Sequence, residues 1–170
     1  MEAAELKKIQ NPLKEQYRED PGAAVVTLRA EGRTAEGVAC KVSTGQAIVE
    51  AGLHPATGGS GTQACSGDML LEALIACAGV TLQAVATSLE IELRDAQLTA
   101  QGDIDFRGTL GVAKDAPVGL TNIRLTFKFD TDETQDRLAK LVELTERYCV
   151  VLQTIRKSPD VAVTSEIVAT

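Results

Sequence analysis

The sequence predicts an α+β protein with mostly antiparallel sheets and two long helices, and three patterns lead to this prediction. Residues 123–129 alternate apolar and polar side chains, which is typical of a strand with one buried face. Residues 69–88 are apolar on nearly every side, as in a helix that is covered all round. Residues 138–149 carry an apolar stripe at helical spacing. With the shorter elements, the predicted order is β-β-β-α-β-β-α-β, which is an α+β arrangement.

The N-terminal part predicts a helical segment followed by a small sheet. Residues 1–22 form a charged extension with a sparse apolar pattern, which predicts one or two helical turns broken at Pro12 and ended by Pro21-Gly22. Three short strands are expected at 25–29, 38–42 and 46–50, with turns at 31–34 and 43–45. Together these strands would form an antiparallel meander.

The middle of the chain predicts a loop that is followed by the beginning of a long helix. Residues 52–62 are rich in Gly, Ser and Thr, and 58–62 invite comparison with a phosphate-binding loop. No Gly-Lys-Ser/Thr follows, so a loop that leads into a helix is the prediction. Ser66 suits the N-cap of this helix, and Asp68 places a carboxylate in the first turn, where it complements the helix dipole. The helix is expected to run to about Ser88.

The second half of the chain predicts strands around the second long helix. Residues 90–107 alternate in parts, which predicts a hairpin or a bent pair of strands before the clear strand at 123–129. Asp132 and Gln135 form a capping-box pattern for the second long helix. Pro159 stops the segment that follows this helix, and residues 161–168 are expected to be a final strand.

Length and composition limit the class of protein. The 170 residues, 44% of them hydrophobic, suit a single domain over 1–170. With 17 basic and 24 acidic residues the net charge is −7 and no basic patch exists, so nucleic-acid binding is not expected. The apolar stretch 69–86 contains Glu72, Thr81 and Gln83, which favours a core helix over a membrane span. The first residues lack the layout of a signal peptide, so we expect a cytoplasmic protein.

The four cysteines, at positions 40, 65, 77 and 149, are not expected to form a structural disulfide framework in the cytoplasm. No Cys-x-x-Cys pair exists and His54 has no neighbouring ligand at metal spacing, so neither a metal site nor a cofactor is expected. Cys40 lies in a strand pattern and is interpreted as a core residue. Cys65, just before a helix, is a candidate for an exposed and somewhat reactive thiol.

Cys77 and Cys149 each lie inside a helical apolar pattern. On a helical wheel Cys149 falls about 20° from Leu138, so it belongs to the buried stripe. Two thiols that reach one core from two helices can form a redox pair. They can equally be two small hydrophobic side chains, because free cysteine is among the most buried residue types. The residues alone leave both interpretations open.

Two segments resemble the OsmC/organic hydroperoxide resistance family. Residues 66–77, with the sequence Ser-Gly-Asp-Met-Leu-Leu-Glu-Ala-Leu-Ile-Ala-Cys, are similar to the first cysteine helix of that family. Residues 147–155, with the sequence Arg-Tyr-Cys-Val-Val-Leu-Gln-Thr-Ile, are similar to its second cysteine segment. In the order of elements, the resemblance extends over residues 25–168.

This resemblance implies a fold, an assembly and a chemistry. The implied fold is an intertwined homodimer in which antiparallel sheets from both chains enclose central helices. The implied activity is a cysteine-based peroxidase that reduces organic hydroperoxides. Cys77 would be the peroxidatic thiolate, which forms a sulfenic acid, and Cys149 would be the resolving thiol, which condenses with it to a disulfide. An external dithiol would restore both thiols.

The chain departs from the family pattern around the first cysteine helix. The hydroperoxide reductase branch carries Asn-Pro-Glu where this chain has residues 65–67. Asp68 is one residue later and one methylene shorter than that Glu, and it either replaces the Glu or only complements the helix dipole. Arg33, in the predicted turn, is the best match for the active-site Arg of the family; otherwise it is a solvated turn charge. The Pro that often follows the second cysteine is Val150 here.

Two functions follow from these patterns. The first is a cytoplasmic, dimeric OsmC-like thiol peroxidase that acts on organic hydroperoxides through Cys77 and Cys149. The second is a non-catalytic OsmC-fold stress protein whose cleft binds a small apolar ligand and whose cysteines only pack. The homodimer is expected on separate grounds as well, since the helix at 69–88 is too apolar for one small sheet to cover.

Overall fold

The computed structural model describes residues 2–28, 30–35, 39–43 and 48–167. For residues 32–35, 39–41 and 43 the description covers the backbone. The elements confirm the predicted α+β class.

The N-terminal segment is one continuous helix, α1 (Ala3–Glu19), and the prediction of a break at Pro12 is wrong. Proline removes one intrahelical donor, and the surrounding i to i+4 bonds of this exposed helix carry the chain past it. The predicted end is confirmed. Pro21 opens a short 3₁₀ turn (Pro21–Ala24), and the Asp20 carboxylate accepts the N–H of Gly22 at 3.0 Å.

The first sheet is the predicted antiparallel meander, but its first strand lies later in the chain. The strands are β1 (Glu31–Ala35), β2 (Ala39–Ser43) and β3 (Ile48–Gly52), in the order β1-β2-β3. Residues 25–28 of the predicted strand have no regular structure, and the predicted turn at 31–34 lies within β1. Val25 and Leu28 are more than four-fifths exposed, because β propensity without a pairing partner does not form a strand. Positions 29, 36–38 and 44–47 lie outside the described residues.

The long apolar helix is α2 (Ser66–Ser88), as predicted. Its N-cap is Cys65, so Ser66 is the first helical residue and not the cap. One face of α2 is fully buried and contains Leu74, Ala78, Leu82 and Ala86. The opposite face is open in the single chain, where Val80 is 74% exposed. By length and composition alone, α2 is also long and apolar enough to cross a membrane.

A left-handed residue terminates α2. Glu90 has φ 53°, the N–H of Ile91 donates to the carbonyl of Ala86 at 2.9 Å, and the N–H of Glu90 donates to that of Thr87 at 3.2 Å. These two bonds form a Schellman motif, in which glycine is the usual left-handed residue. The guanidinium of Arg137 donates to the carbonyl of Glu90 at 3.0 Å and so satisfies another terminal acceptor.

The second sheet pairs β4 (Asp95–Asp103) with β5 (Thr121–Asp130) in antiparallel register. Side chains alternate inward and outward along both strands, which confirms the strand predicted at 123–129. The predicted hairpin within 90–107 is wrong, because β4 finds its partner in β5 and not in its own neighbourhood. After β4 the chain forms the short helix α3 (Phe106–Thr109), with the Asp105 carboxylate accepting the N–H of Arg107 at 3.0 Å.

The second long helix is α4 (Gln135–Tyr148), followed by α5 (Val150–Arg156). Its N-cap is Thr134, so the predicted capping box is wrong: Asp132 pairs instead with Arg94 at 2.6 Å. The stop before Pro159 is confirmed. Residues 161–167 of the predicted final strand have no regular structure and belong to neither sheet, and position 168 lies outside the described residues.

The core lies where α2 meets the second sheet, α4 and α5. One buried cluster contains Leu82, Ala86, Ile91 and Leu141. The other contains Leu74, Ala78, Cys149 and Leu152, and the partly buried apolar side chains of β4 and β5 pack against it. This second cluster holds the candidate site.

Candidate functional site

The fold brings Cys77 and Cys149 together. Cys77 lies in the middle of α2, on the turn between Leu74 and Ala78, and it packs against the cluster that contains Cys149. Cys149 has no exposed surface, whereas Cys77 is partly exposed. The two sulfurs therefore differ in access: a molecule in solution reaches Cys77 first.

Cys149 lies at the break between helices α4 and α5, where the chain changes direction. Its N–H donates to the carbonyl of Thr145 at 2.9 Å and completes α4, while its carbonyl accepts the N–H of Gln153 at 3.0 Å and opens α5. Between these bonds Cys149 is extended, with φ −71° and ψ 106°. The first N–H groups of a helix have no intrahelical acceptor. The break therefore leaves the N–H groups of Val150 and Val151 free to bind another acceptor.

The nearby group that these two N–H groups affect is the thiol of Cys77. Burial raises the pKa of Cys77, but hydrogen bonds from the N–H of Val151, the Cys149 thiol and the N–H of Val150 outweigh it, and the pKa lies below the usual thiol value. Hydrogen bonds to the charged form favour that form. Cys77 is thus more often a thiolate at neutral pH than an ordinary cysteine, and the thiolate is the nucleophilic form.

The pKa of Cys149 is shifted in the opposite direction and lies above the usual thiol value. Burial raises its pKa, and its role as donor to the Cys77 sulfur raises it further. A hydrogen bond that needs the protonated thiol disfavours loss of the proton. The pair therefore consists of one accessible thiol with a lowered pKa and one buried thiol with a raised pKa.

Thr81 lies one helical turn beyond Cys77. Its hydroxyl donates to the Cys77 carbonyl at 2.8 Å, and the same hydroxyl gives the smallest of the contributions that lower the pKa of Cys77. One proton cannot serve both acceptors at once, and in this structure the hydroxyl donates to the carbonyl. Thr81 also lines an apolar groove of about 580 Å³ between α1, α2 and α4, together with Val80, Leu144 and Tyr148.

The structure does not bring Asp68 to this pair. Asp68 is exposed in the first turn of α2, nine residues before Cys77. Nine residues correspond to about 13.5 Å along the helix axis and about half a rotation around it. Its position suits a carboxylate that complements the helix dipole.

Arg33 is described through its backbone, which pairs with Lys41 inside β1 and β2 and not in a turn. Its side chain lies outside the described residues, as does that of Cys40, whose backbone pairs with Thr34 in β2. Whether Arg33 reaches Cys77 stays a prediction.

Cys65 lies apart from the thiol pair. It is partly buried and lines a cavity of about 360 Å³ with His54 and Phe106, whose rings stack at 4.8 Å between centroids. The Nδ1 atom of His54 accepts the N–H of Ala56 at 3.0 Å. Within the described ranges, no group of three or more His, Cys, Asp or Glu side chains could hold a metal ion.

The backbone N–H groups of residues 150 and 151 were not among the functional groups predicted from the sequence. A signal was present, since the apolar run of residues 150–152 interrupts the spacing of the preceding amphipathic helix at Cys149. Such a phase change marks a helix that stops and restarts. A restarted helix presents unpaired N–H groups to whatever its first turn faces.

The fold and this site together define an α+β protein with two free, neighbouring thiols between its central helices. The family model of the OsmC-like proteins matches residues 59–164, more than half of the chain, and the chain belongs to this family. Comparison with curated proteins gave no match.

Solved structures show the same fold at low sequence identity. An OsmC-like protein from Mycoplasma pneumoniae aligns with a TM-score of 0.66 and 14% identity over 78% of this chain and 89% of its own. An organic hydroperoxide resistance protein OsmC from Legionella pneumophila aligns at 0.58 and 16%, over 78% and 91%. The organic hydroperoxide resistance protein OhrB of Bacillus subtilis aligns at 0.53 and 20%, over 78% and 93%.

Proposed function

We propose that this protein is a thiol peroxidase that reduces organic hydroperoxides with Cys77 and Cys149. The observation that carries the proposal is the opposite tuning of the two thiols: the accessible Cys77 has a lowered pKa and the buried Cys149 a raised one. Thiols whose pKa values are shifted by specific partners occur preferentially at functional sites, whereas two cysteines that only pack need no such asymmetry. The organic hydroperoxide resistance proteins among the structural neighbours support the substrate class.

The first step is attack of the Cys77 thiolate on the terminal peroxide oxygen. A sulfur–oxygen bond forms, the oxygen–oxygen bond breaks, and an alkoxide leaves. The Cys149 thiol already donates to the Cys77 sulfur, so its proton is placed to convert the alkoxide to an alcohol. Cys77 becomes a sulfenic acid and Cys149 becomes a thiolate.

The second step closes the disulfide. The Cys149 thiolate attacks the sulfenic sulfur and expels hydroxide, which takes up the proton that Cys77 lost when it ionised. The sum is two thiols and one hydroperoxide converted to one disulfide, one alcohol and one water. An external dithiol then reduces the disulfide by thiol–disulfide exchange, which begins at the accessible sulfur of Cys77.

Thiol titration tests this proposal. The reduced protein is treated with one equivalent of cumene hydroperoxide, and free thiols are counted after unfolding. Rapid loss of two thiols per chain, with peptide mapping that links Cys77 to Cys149 and spares Cys40, is the expected result. A link through Cys65 would move the chemistry to the loop. If neither Cys77 nor Cys149 is oxidised in the folded protein, the peroxidase proposal is wrong.

A second candidate function is non-catalytic binding of a small apolar ligand. The groove of about 580 Å³ next to Thr81 favours it, because Val80, Leu144 and Tyr148 give that groove apolar walls. In this case the thiols would titrate slowly with hydroperoxide, while an apolar fluorescent probe would bind. The substitution Leu144→Asp, in the α4 wall of the groove, should then weaken the binding of the probe.

We further propose that the protein works as a homodimer. The exposed face of α2, with Leu70 42% and Val80 74% exposed, is the apolar surface that a second copy would cover. Such a dimer would also offer a sheet edge to residues 161–167, whose valines are exposed in the single chain. A native mass of 18.0 kDa in dilute solution, with a cooperative melt, would contradict the dimer.

A further inference from the structure

Gln153 bridges the break between α4 and α5. Its Nε2 atom donates to the carbonyl of Glu146 at 2.7 Å, seven residues upstream and on the other side of Cys149. Its own N–H donates to the Cys149 carbonyl at 3.0 Å. Gln153 is partly buried, so this bridge is protected from competition with water. One residue therefore holds the last turn of α4 and the first turn of α5 in a fixed relation.

The carbonyl to which Gln153 donates is the one that would otherwise continue helix α4. In a continuous α-helix the carbonyl of Glu146 would accept the N–H of Val150, four residues later. Here the Gln153 amide occupies that carbonyl, and the N–H of Val150 is instead one of the groups that lower the pKa of Cys77. The side chain thus takes the bond that would continue α4 and frees the backbone donor for the thiolate.

A second connection across the break is weaker. Arg156 and Glu146 form an ion pair at 2.9 Å, with both side chains at least 40% exposed. Exposed ion pairs contribute little because water screens them and side-chain entropy opposes them. The Gln153 bond is partly buried, so of the two connections it is the one that fixes the geometry of the break.

We propose that Gln153 is a positioning residue for Cys77: by occupying the Glu146 carbonyl it keeps the N–H groups of Val150 and Val151 directed at the Cys77 sulfur. This inference deepens the proposed function and rests on it in one respect, that Cys77 is the nucleophile. Gln153 does not touch the reacting atoms. It acts only through the backbone of the α4–α5 junction.

The test measures the thiolate and not peroxide turnover. In a Cys40→Ser, Cys65→Ser background, alkylation of the native reduced protein by iodoacetamide is followed from pH 5 to pH 10, with mass mapping to confirm Cys77. Gln153→Met removes the donor and keeps the length of the side chain. Gln135→Met, at the exposed first residue of α4, is the matched control.

We expect Gln153→Met to slow alkylation at pH 7 by at least about threefold and to move the midpoint of the profile upward, because fewer Cys77 thiols are ionised. Gln135→Met should leave the profile unchanged. A purely structural role would lower the melting temperature of Gln153→Met without moving the profile, and this outcome would overturn the inference. Gln153→Ala gives the same test if the methionine variant does not fold.

Peroxide assays on the same proteins separate this inference from the proposed function. If the parent consumes no hydroperoxide while Gln153→Met still shifts the alkylation profile, the peroxidase proposal fails and the positioning role stands. If the parent is an active peroxidase and the profile does not move, the positioning role fails alone.

Discussion

Replacing Val150 by proline tests whether a backbone N–H stabilises the Cys77 thiolate. Val150 is the first residue of α5, a position where proline is well tolerated because its missing N–H has no intrahelical acceptor. Cys149 before it is extended, as a residue before proline must be. The Val150 side chain is 68% exposed, so little packing is lost. The substitution therefore removes one donor to the Cys77 sulfur and changes little else.

The expected magnitude follows from the strength of that bond. A hydrogen bond to a charged group contributes about 1.5–3 kcal/mol. Water reaches the partly exposed Cys77 and replaces part of the lost bond, so about 1 kcal/mol is a reasonable net loss. Because the bond favours the thiolate, its loss raises the pKa of Cys77 and leaves less thiolate at pH 7. About 1 kcal/mol corresponds to roughly a fivefold lower thiolate fraction.

The assay is alkylation of Cys77 at pH 7 and at a pH above its titration, with Val150→Ala as the control that keeps the N–H. At pH 7 the proline variant should react roughly fivefold more slowly than the alanine variant, and at high pH the two rates should converge. Equal rates at pH 7 in two folded variants would refute the assignment of the Val150 N–H as a donor to the thiolate.

Three further outcomes are expected. Cys77→Ser should abolish peroxide consumption, whereas Cys149→Ser should consume about one equivalent and stop at an oxidised Cys77, visible by mass as sulfenic acid or its over-oxidised products; full turnover of either variant would contradict the assigned roles. Arg33→Ala should slow peroxide reduction by roughly tenfold if Arg33 orients the peroxide, with the melting temperature as the control for folding, and unchanged kinetics would remove Arg33 from the mechanism. Glu90→Gly should stabilise the protein by about 1 kcal/mol, because glycine adopts the left-handed conformation at the end of α2 without strain; thermal unfolding of Glu90→Ala, which keeps the strain, is the matched comparison.

The elements that could be predicted from the sequence are those with a long and regular pattern of apolar residues. The helix at 66–88 was predictable because its apolar run is long, and β5 because its alternation is unbroken over seven residues from Ile123 to Phe129. Residues 90–107 were mispredicted because their partner, β5, lies 18 residues further along the chain from Asp103 to Thr121. An alternating pattern indicates a strand but not its partner, and neighbouring strands pair most often, so a distant partner becomes visible only in the folded chain.

The candidate site was predictable only in part, for a similar reason. Cys77 and Cys149 could be named because each side chain interrupts an apolar helical pattern. The groups that tune them are backbone N–H groups, which every residue except proline carries, so residue identity gives no indication of where they act. Gln153 could not be predicted either, because nothing in the sequence distinguishes it from other polar residues. Its acceptor, the Glu146 carbonyl, is available only because the helix breaks at Cys149.

The complete burial of Cys149 also makes this residue a built-in reporter of core motion. An alkylating reagent in solution can modify Cys149 only during the moments when the contact of α2 with the α4–α5 junction opens. Its modification rate, divided by that of a free thiol, therefore gives the equilibrium constant for this opening, as amide exchange does for backbone groups. If this equilibrium constant equals the one for global unfolding, the junction and the core open as one unit. If Cys149 is modified faster than global unfolding allows, the junction is a separate and less stable unit.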